Sequence, residues 1–362
     1  MSNTVKTDNN EIVNELNQAV KGVSLWLDAW RRLRKNKMAM GGLVVMIFYA
    51  FISLSAGILP IYSYKQQVLD HQYLPPSSRP AGELLIENKI ALLTAFAERQ
   101  ERELNAVELA EIEKLKELVA TETKVLLSGE EVLVHERVYR LGTDSLGRDL
   151  LARIIYGGQV SIMIGLVGAL ASMFIGVVLG ALAGYIGGTF DSLMMRFVDI
   201  MYSLPYMLLV IIMMAIFGKN IWNLFFALAI VSWLTVCRVV RGQIISLKNS
   251  EFIEAARSSG AGTGRIVFKH LIPNTMSIIV VYTTLRVPAF IMLEAFLSFL
   301  GLGVQAPFAS WGVLIHDGVY AMTTYPWMLW YPAIAMTLFL FSMNFLGDGL
   351  RDALDPQSKN KL

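Results

Sequence analysis

Long apolar runs separated by short polar stretches make up most of the chain between residues 38 and 347. A helix needs about 20 apolar residues to cross a lipid bilayer. Runs of roughly this length or longer lie at residues 38–60, 154–188, 200–218, 220–237, 271–303 and 318–347. The pattern therefore predicts an all-α integral membrane protein with six transmembrane helices.

Lysine and arginine are concentrated in three of the flanks of these runs, at residues 31–37, 238–269 and 351–361. With six crossings, all three flanks fall on one side of the membrane, and the positive-inside rule makes that side the cytoplasm. We therefore expect both termini to be cytoplasmic. Residues 61–153 and 304–325 are then external.

These boundaries divide the chain into five segments. We expect a cytoplasmic N-terminal amphipathic segment at 1–37, with an interfacial helix at 20–33, a first transmembrane helix at 38–60, an external insert at 61–153, a five-helix membrane domain at 154–351 and a cytoplasmic tail at 352–362.

The external insert is polar and acidic, unlike the rest of the chain. Residues 61–140 contain 10 Lys or Arg and 14 Asp or Glu, a net charge of 10 − 14 = −4. Two helices are predicted, at 83–103 and 106–125, with Asn105 and Glu108 forming a capping box at the start of the second. This hairpin either packs on itself or on the membrane face, or it is a docking surface for an external partner.

Glycines recur at four-residue intervals in the second apolar run, at Gly176, Gly180 and Gly184. Small residues at this spacing let two transmembrane helices approach closely. We expect this face to pack against a neighbouring helix, with hinge motion as the alternative role.

Composition excludes several classes of protein. The chain is 55% hydrophobic with a mean hydropathy of +0.52, which soluble domains seldom reach. A net charge of +2 gives no basic field for nucleic acid. One cysteine and four scattered histidines indicate neither a disulfide framework nor a metal site. The sequence also has no G-x4-G-K-[ST] phosphate loop and no catalytic constellation, so we expect no enzyme activity and no cofactor.

A basic, glycine-rich stretch, EAARSSGAGTGRIVFKHLIPN, lies at residues 254–274 between the fourth and fifth runs. Ser250 is expected to cap a short helix that ends at Gly260, where glycine readily takes a positive φ. A second short helix is expected at 265–271, and Pro273 suits the start of the next span. The stretch is either a solvated basic loop or a surface on which another protein docks.

The spacing of this stretch resembles the EAA loop of ABC importer permeases, EAA-x3-G-x9-I-x-L-P. Glu254-Ala255-Ala256 is followed after three residues by Gly260 and after twelve more by Pro273. His270 replaces the isoleucine of the pattern and Ile272 replaces its leucine. The histidine variant is similar to the dipeptide/oligopeptide branch of that family.

Three further stretches are similar to the same branch and to its C-type subunit. They are LGTDSLGRDLLARIIYGGQVS at 141–161, LEAFLSFLGLGVQAPFASWG at 293–312 and WRRLRKNKMAMGGL at 30–43. The acidic hairpin at 77–135 has no counterpart in this resemblance and is longer than is usual for the branch.

The resemblance implies an ABC transmembrane type-1 (type I importer) fold at 154–351, in the bacterial inner membrane. The EAA loop would be a coupling helix seated in a cleft of a separate ATPase, so no ATP chemistry would occur on this chain. The implied partners are a homologous second permease, two ATPase subunits, an external solute-binding protein, peptide cargo and the lipid bilayer. Import of nickel or another small solute is the alternative cargo. A secondary transporter, a channel and a membrane enzyme are alternatives of other classes, and the sequence shows no internal repeat that would favour a secondary transporter.

Three groups of residues are candidates for function. The candidate ATPase-coupling loop consists of Glu254, Ala255, Ala256, Arg257, Gly260, Arg265, His270 and Pro273. Arg286, Glu294 and Trp311 are candidates for the translocation path or its gate. The external-mouth motif consists of Asp144, Gly147, Arg148 and Asp149. This motif is expected to form a local ion network, which either elaborates a helix cap or contacts the binding protein.

Arg286 and Glu294 are charged residues within an apolar run. They are eight residues apart, which places them about 80° apart around a helix, so no direct pair between them is expected. Arg286 either faces the translocation path or partner permease, or pairs with another helix. Glu294 is expected to hold the turn that follows it.

Overall fold

The apolar runs fold into long helices in a computed structural model that describes residues 25–121, 124–127 and 130–354. The helices are α1 (Leu25–Lys35), α2 (Lys37–Leu54), α3 (Ala81–Arg99), α4 (Ala106–Ala120), α5 (Leu150–Ile186), α6 (Gly188–Ser203), α7 (Tyr206–Phe217), α8 (Ile221–Leu247), α9 (Glu251–Ser258), α10 (Thr263–Phe299), α11 (Trp311–Ala321) and α12 (Trp327–Leu354). Short 3₁₀ turns lie at Ser55–Gly57 and Leu69–His71, and strands β1 (Val125–Leu127) and β2 (Glu130–Val132) form an antiparallel hairpin. The interfacial helix expected at 20–33 is described only from Leu25, and most of the expected tail lies outside the described residues.

Five helices in the described part of the chain are long and apolar enough to cross a membrane: α2, α5, α8, α10 and α12. The sixth candidate crossing is α6 with α7, which are bent by 81° at a break between them. A continuous helix at 200–218 was therefore a wrong prediction. Pro205 lacks an N–H and pushes Leu204 into an extended conformation, so the helix ends at Ser203.

Other element boundaries also differ from those expected, and the first span, expected at 38–60, is α-helical only to Leu54. Helix α5 begins at Leu150, four residues before the expected start. Helix α8 continues to Leu247, beyond the apolar run, because arginine does not end a helix, and its Arg238 and Arg241 pair with aspartates on α6. The last apolar run contains two helices, α11 and α12, because Pro326 separates them.

The glycine face of α5 packs directly against α8, as its spacing predicts. A Cβ on Gly180 would lie 2.4 Å from the carbonyl oxygen of Cys237, and a Cβ on Gly184 would lie 2.9 Å from that of Arg241. Since both obstacles are backbone atoms, they cannot move aside without separating the helices. This contact forms the centre of the membrane domain.

Replacing Gly180 by alanine is expected to destabilise the protein by about 1–3 kcal/mol through overpacking. Gly242 on α8 is the matched control, because no atom of the described residues lies within 4 Å of a Cβ placed there. Gly242→Ala should be neutral or stabilising by about 1 kcal/mol through helix propensity. The free energy of unfolding of each variant is measured by SDS titration in detergent. Equal values for the two variants would contradict the close contact between α5 and α8.

The external insert is a helical hairpin, α3 and α4, held on a polar base. The capping box predicted at the start of α4 is confirmed: Asn105 Oδ1 accepts from the Glu108 N–H at 2.8 Å, and Glu108 Oε2 accepts from the Asn105 N–H at 2.9 Å. The two helices end at Arg99 and Ala120, several residues before the expected ends. The strand pair β1–β2 was not predicted.

A buried histidine pair lies in the base of the insert. His71 is fully buried, and its ring nitrogens lie 3.0 Å from the hydroxyl of Tyr139 and 3.0 Å from Nδ1 of His135. Burial, followed by the positive charges of His135 and Arg137, lowers the pKa of His71 to about 3. The imidazole of His71 is therefore neutral in the folded protein at every physiological pH.

The stability of the insert is expected to fall on acidification. The unfolded chain binds a proton on His71 with a pKa near 6.5, so the stabilising contribution is complete above pH 6.5 and is lost as the pH falls toward 3. Between pH 7.5 and pH 5 the loss is about 2 kcal/mol. His71→Gln, which cannot titrate, should show a smaller fall in thermal midpoint over this range. A fall as large as that of the wild type would contradict the role of His71.

Candidate functional site

Helix α9 carries the first residues of the candidate coupling loop and is attached to the bundle mainly through one side chain. Ile253 is 0% exposed and packs in an apolar cluster with Ile244 of α8 and with Ile266 and Leu271 of α10. The expected side-chain cap by Ser250 was wrong, because its hydroxyl donates backward to the carbonyl of Leu247 at 2.6 Å. Helix α9 is thus a short surface helix fixed by an apolar anchor.

Gly260 ends α9 in the left-handed conformation that the sequence predicts, with a φ of 80°. The N–H of Gly260 donates to the carbonyl of Arg257 at 3.0 Å, and the N–H of Ala261 donates to that of Ala256 at 3.1 Å. These two bonds form a Schellman motif, which satisfies carbonyls that have no partner within the helix. The motif fixes the direction in which the chain leaves α9.

The second half of the loop is the start of α10. The separate short helix expected at 265–271 was a wrong prediction, since Thr263–Phe299 is one helix with a π-helical stretch at Ile266–Leu271. This wider turn accommodates Pro273, which has no N–H to donate to the preceding turn. Asn274 Nδ2 donates to the carbonyl of His270 at 2.6 Å, so the His-x-x-Pro-Asn segment stabilises its own backbone.

Most of the coupling-loop residues are accessible on the surface of the chain. Those with exposed side chains or backbone are Glu254, Ala255, Arg257, Gly260, Arg265 and Pro273, and those that are half-buried are Ala256 and His270. The structure therefore brings the small residues of the loop together on an open helix whose one buried face is occupied by Ile253.

The external-mouth motif is a buried ion network at the start of α5. Asp144 is 1% exposed and pairs through Oδ2 with Nε of Arg148 at 2.7 Å and with the guanidinium of Arg153. Its Oδ1 accepts from the N–H groups of Leu146 and Arg148 at 2.9 and 3.0 Å. Arg153 also lies 3.6 Å from Asp317 of α11, so the network connects the loop to two helices.

Asp149 and Gly147 complete this structure. Asp149 caps α5 by accepting from the N–H groups of Leu151 and Ala152 at 3.2 Å each. Burial raises the pKa of Asp149 to about 6, against the lowering effect of these bonds. Gly147 has a φ of 67°, and a Cβ there would lie 1.8 Å from the carbonyl oxygen of Val68. All four residues of the motif are buried, which favours the helix-cap interpretation over contact with a binding protein.

Glu294 and Trp311 lie together inside the bundle. Glu294 is 0% exposed, and its Oε1 accepts from the hydroxyls of Ser298 and Ser310 at 2.7 Å each. Trp311 is 1% exposed, and its indole N–H donates to the carbonyl of Ile154 at 3.0 Å. Glu294 therefore holds the turn after α10, as expected, and Trp311 joins α11 to α5.

Arg286 lies apart from these two residues. It is half-buried on α10 and lines a cavity beside the bend between α6 and α7. No hydrogen bond joins it to Glu294 within residues 25–121, 124–127 and 130–354, in agreement with their angular separation.

Two residues that organise these sites were not predicted. Ile253 anchors α9. The sequence feature that could have identified it is an isoleucine within a polar stretch. Arg153 joins Asp144 to Asp317. The sequence feature that could have identified it is a charge directly before an apolar run. A search for uncharged segments starts the helix after such a residue and so overlooks it.

Comparison with known proteins agrees with the resemblance of the motifs. Residues 176–360 match the family described as binding-protein-dependent transport system inner membrane component, and residues 24–76 match the N-terminal TM domain of oligopeptide transport permease C. The dipeptide transport system permease protein DppC of Bacillus subtilis is 38% identical over 331 residues, which cover 91% of this chain and 85% of the relative. The oligopeptide transport system permease protein OppC of Haemophilus influenzae is 38% identical over 341 residues, which cover 94% and 91%.

A solved structure of the MetNI methionine ABC transporter, in an inward-facing conformation, is also similar, with a TM-score of 0.47 and 18% identity over 56% of this chain and 96% of that chain. The family assignment comes from the sequence matches. With one family match over half of the chain and relatives 38% identical along nearly all of it, the chain belongs to the inner-membrane permeases of binding-protein-dependent ABC importers, as a C-type subunit of the dipeptide/oligopeptide branch.

Proposed function

We propose that this chain forms half of the translocation path of an ATP-driven importer of short peptides. Its coupling loop would receive the motion of separate ATPase subunits and pass it into the membrane helices. The other half of the path would come from a homologous permease, and an external solute-binding protein would deliver the cargo. ATP hydrolysis belongs to the ATPases in this proposal.

The observation that carries the coupling role is the placement of α9. Its exposed face bears Glu254 and Ala255, small or acidic residues that another protein can approach closely. Its buried side chain, Ile253, belongs to one apolar cluster with Ile244 of α8 and Ile266 of α10, so a push on α9 would reach two transmembrane helices. A solvated basic loop would need no such anchor.

Charge and packing support an orientation with both termini in the cytoplasm. Leu33 of α1 packs in one cluster with Ala353 of α12, so the two ends of the described chain lie at the same end of the bundle. The basic side chains of Arg257 and Arg265 are exposed on the coupling loop, as the positive-inside rule requires of a cytoplasmic loop.

Peptide is favoured over nickel as the cargo because the two relatives described above are named as dipeptide and oligopeptide permeases. Reconstitution with the partner permease, the ATPases and the binding protein tests this proposal directly. We expect ATP-dependent accumulation of a labelled tripeptide in proteoliposomes. Accumulation of nickel without peptide would contradict the proposed cargo.

Cysteine labelling tests the orientation, because the chain has one cysteine, Cys237, and it is buried. A cysteine introduced at Arg99, at the exposed end of α3, should react with an impermeant maleimide in spheroplasts, which expose the outer face of the inner membrane. A cysteine introduced at Arg257 should react only after the membrane is opened. The reverse pattern would contradict the proposed topology.

A further inference from the structure

A cavity of about 230 Å³ lies where the bend between α6 and α7 meets α8 and α10. Seven of its twelve lining residues are apolar, and the other five are Tyr202, Tyr206, Ser232, Thr235 and one cation, Arg286. The hydroxyls of Tyr202 and Thr235 are hydrogen-bonded to each other. These five polar side chains meet on helices that are otherwise strongly apolar, as expected where a cavity wall faces an aqueous path.

Arg286 lies in the middle of the part of α10 that follows the π-helical stretch. It is 14 residues into the 28-residue stretch Ile272–Phe299, roughly 21 Å from the first residue of that stretch at 1.5 Å per residue. A charge at this depth is costly unless it faces water or an opposite charge.

Two arginines of the neighbouring helix α8 have counter-ions within the chain. Arg238 pairs with Asp199, and Arg241 holds Asp191 with two bonds of 2.5 and 2.6 Å. Within residues 25–121, 124–127 and 130–354, Arg286 has neither a hydrogen bond nor an ion pair. Its guanidinium thus lines the cavity wall with donors that no described residue occupies.

We propose that Arg286 binds the carboxylate of the cargo as it passes through the translocation path. This inference rests on the proposed function. A guanidinium presents a planar fork that holds a carboxylate with two parallel hydrogen bonds. Every unmodified peptide carries a C-terminal carboxylate whatever its sequence, so one cation can contact all cargo. The hydroxyls of Ser232 and Thr235 lie in the same cavity and can accept or donate to the peptide backbone.

The test uses the complete complex in proteoliposomes, with trialanine and trialanine amide as matched cargo. Each is supplied at a concentration that direct titration shows to saturate the binding protein, so that only later steps are compared. For Arg286→Gln we expect uptake of trialanine to fall about tenfold, the loss of one charge-assisted contact, while uptake of the amide changes less than twofold. Arg286→Lys should retain part of the preference for trialanine over trialanine amide. Arg99→Gln, an exposed charge on α3, should behave as the wild type.

The outcomes distinguish this inference from the proposal beneath it. Equal loss for both cargoes in Arg286→Gln would overturn it and assign the charge to a structural ion pair, for example with the partner permease. Unchanged uptake of both cargoes would also overturn it. If the wild-type complex shows no ATP-dependent uptake of either cargo, the proposed function itself fails, and this inference fails with it.

Discussion

Replacement of Ala255 by tryptophan is expected to reduce ATP-driven uptake at least tenfold while the permease remains folded. The side chain of Ala255 is exposed on α9, so tryptophan disturbs no packing within the chain. In the proposed complex, however, the indole would hold the ATPase surface away from the helix. A tenfold loss of affinity between the two subunits corresponds to about 1.4 kcal/mol. Co-purification of the ATPases and uptake into proteoliposomes measure the effect.

Ala110→Trp is the matched control for this prediction. Ala110 is also an exposed alanine in a helix, but it lies on α4 of the external insert. We expect this variant to bind the ATPases normally. Normal ATPase association and uptake in Ala255→Trp would contradict the coupling role of α9.

The second large effect is expected at the buried ion network of the external mouth. Asp144→Ala should destabilise the protein by about 3–5 kcal/mol, because it leaves the buried guanidinium groups of Arg148 and Arg153 without their shared carboxylate. It also removes the acceptor of two backbone N–H groups. SDS titration of the purified chain measures the free energy of unfolding.

Two further variants separate charge from hydrogen bonding. Asp144→Asn retains an acceptor for the N–H groups of Leu146 and Arg148. Its free energy of unfolding should therefore lie between those of Asp144→Ala and the wild type. Asp70→Ala removes an exposed carboxylate nearby in the same insert and should change stability by less than about 0.5 kcal/mol. A small effect of Asp144→Ala, similar to that of Asp70→Ala, would show that the network does not stabilise the mouth.

The sequence predicts features of this protein that depend on local chemistry. Apolar length identifies most of the membrane helices, the spacing of Gly176, Gly180 and Gly184 identifies a closely packed face of α5, and Asn105 with Glu108 identifies the cap of α4. A short window of sequence is sufficient for each of these features, but it does not show that α8 is the helix that packs on the glycine face.

Features that depend on distant partners were missed. Arg241 of α8 pairs with Asp191 of α6, which is 50 residues away in sequence. Arg153 belongs to the mouth because Asp144 and Asp317 approach it from two other elements. Periodicity does not reveal such pairings, since they depend on how the helices are arranged.

The candidate site also combines features that local sequence predicts with features that depend on distant residues. The left-handed turn at Gly260 follows from glycine and its spacing, whereas the anchoring of α9 by Ile253 requires the cluster that α8 and α10 form around it. Pro273 was expected to begin a helix, but the π-helical stretch before it keeps α10 continuous. Exposure of the small residues on α9 is therefore a property of the fold that sequence alone did not establish.

Crosslinking from α9 tests the central claim most directly. A cysteine introduced at Arg257, with buried Cys237 left in place, is joined by a maleimide–succinimide reagent to lysines of the co-purified ATPases, with a cysteine at Arg99 as the control. We predict a crosslink to the ATPase from position 257 whose yield changes on addition of ATP, and none from position 99. Failure to crosslink from position 257 in a complex that hydrolyses ATP and accumulates peptide would contradict the account.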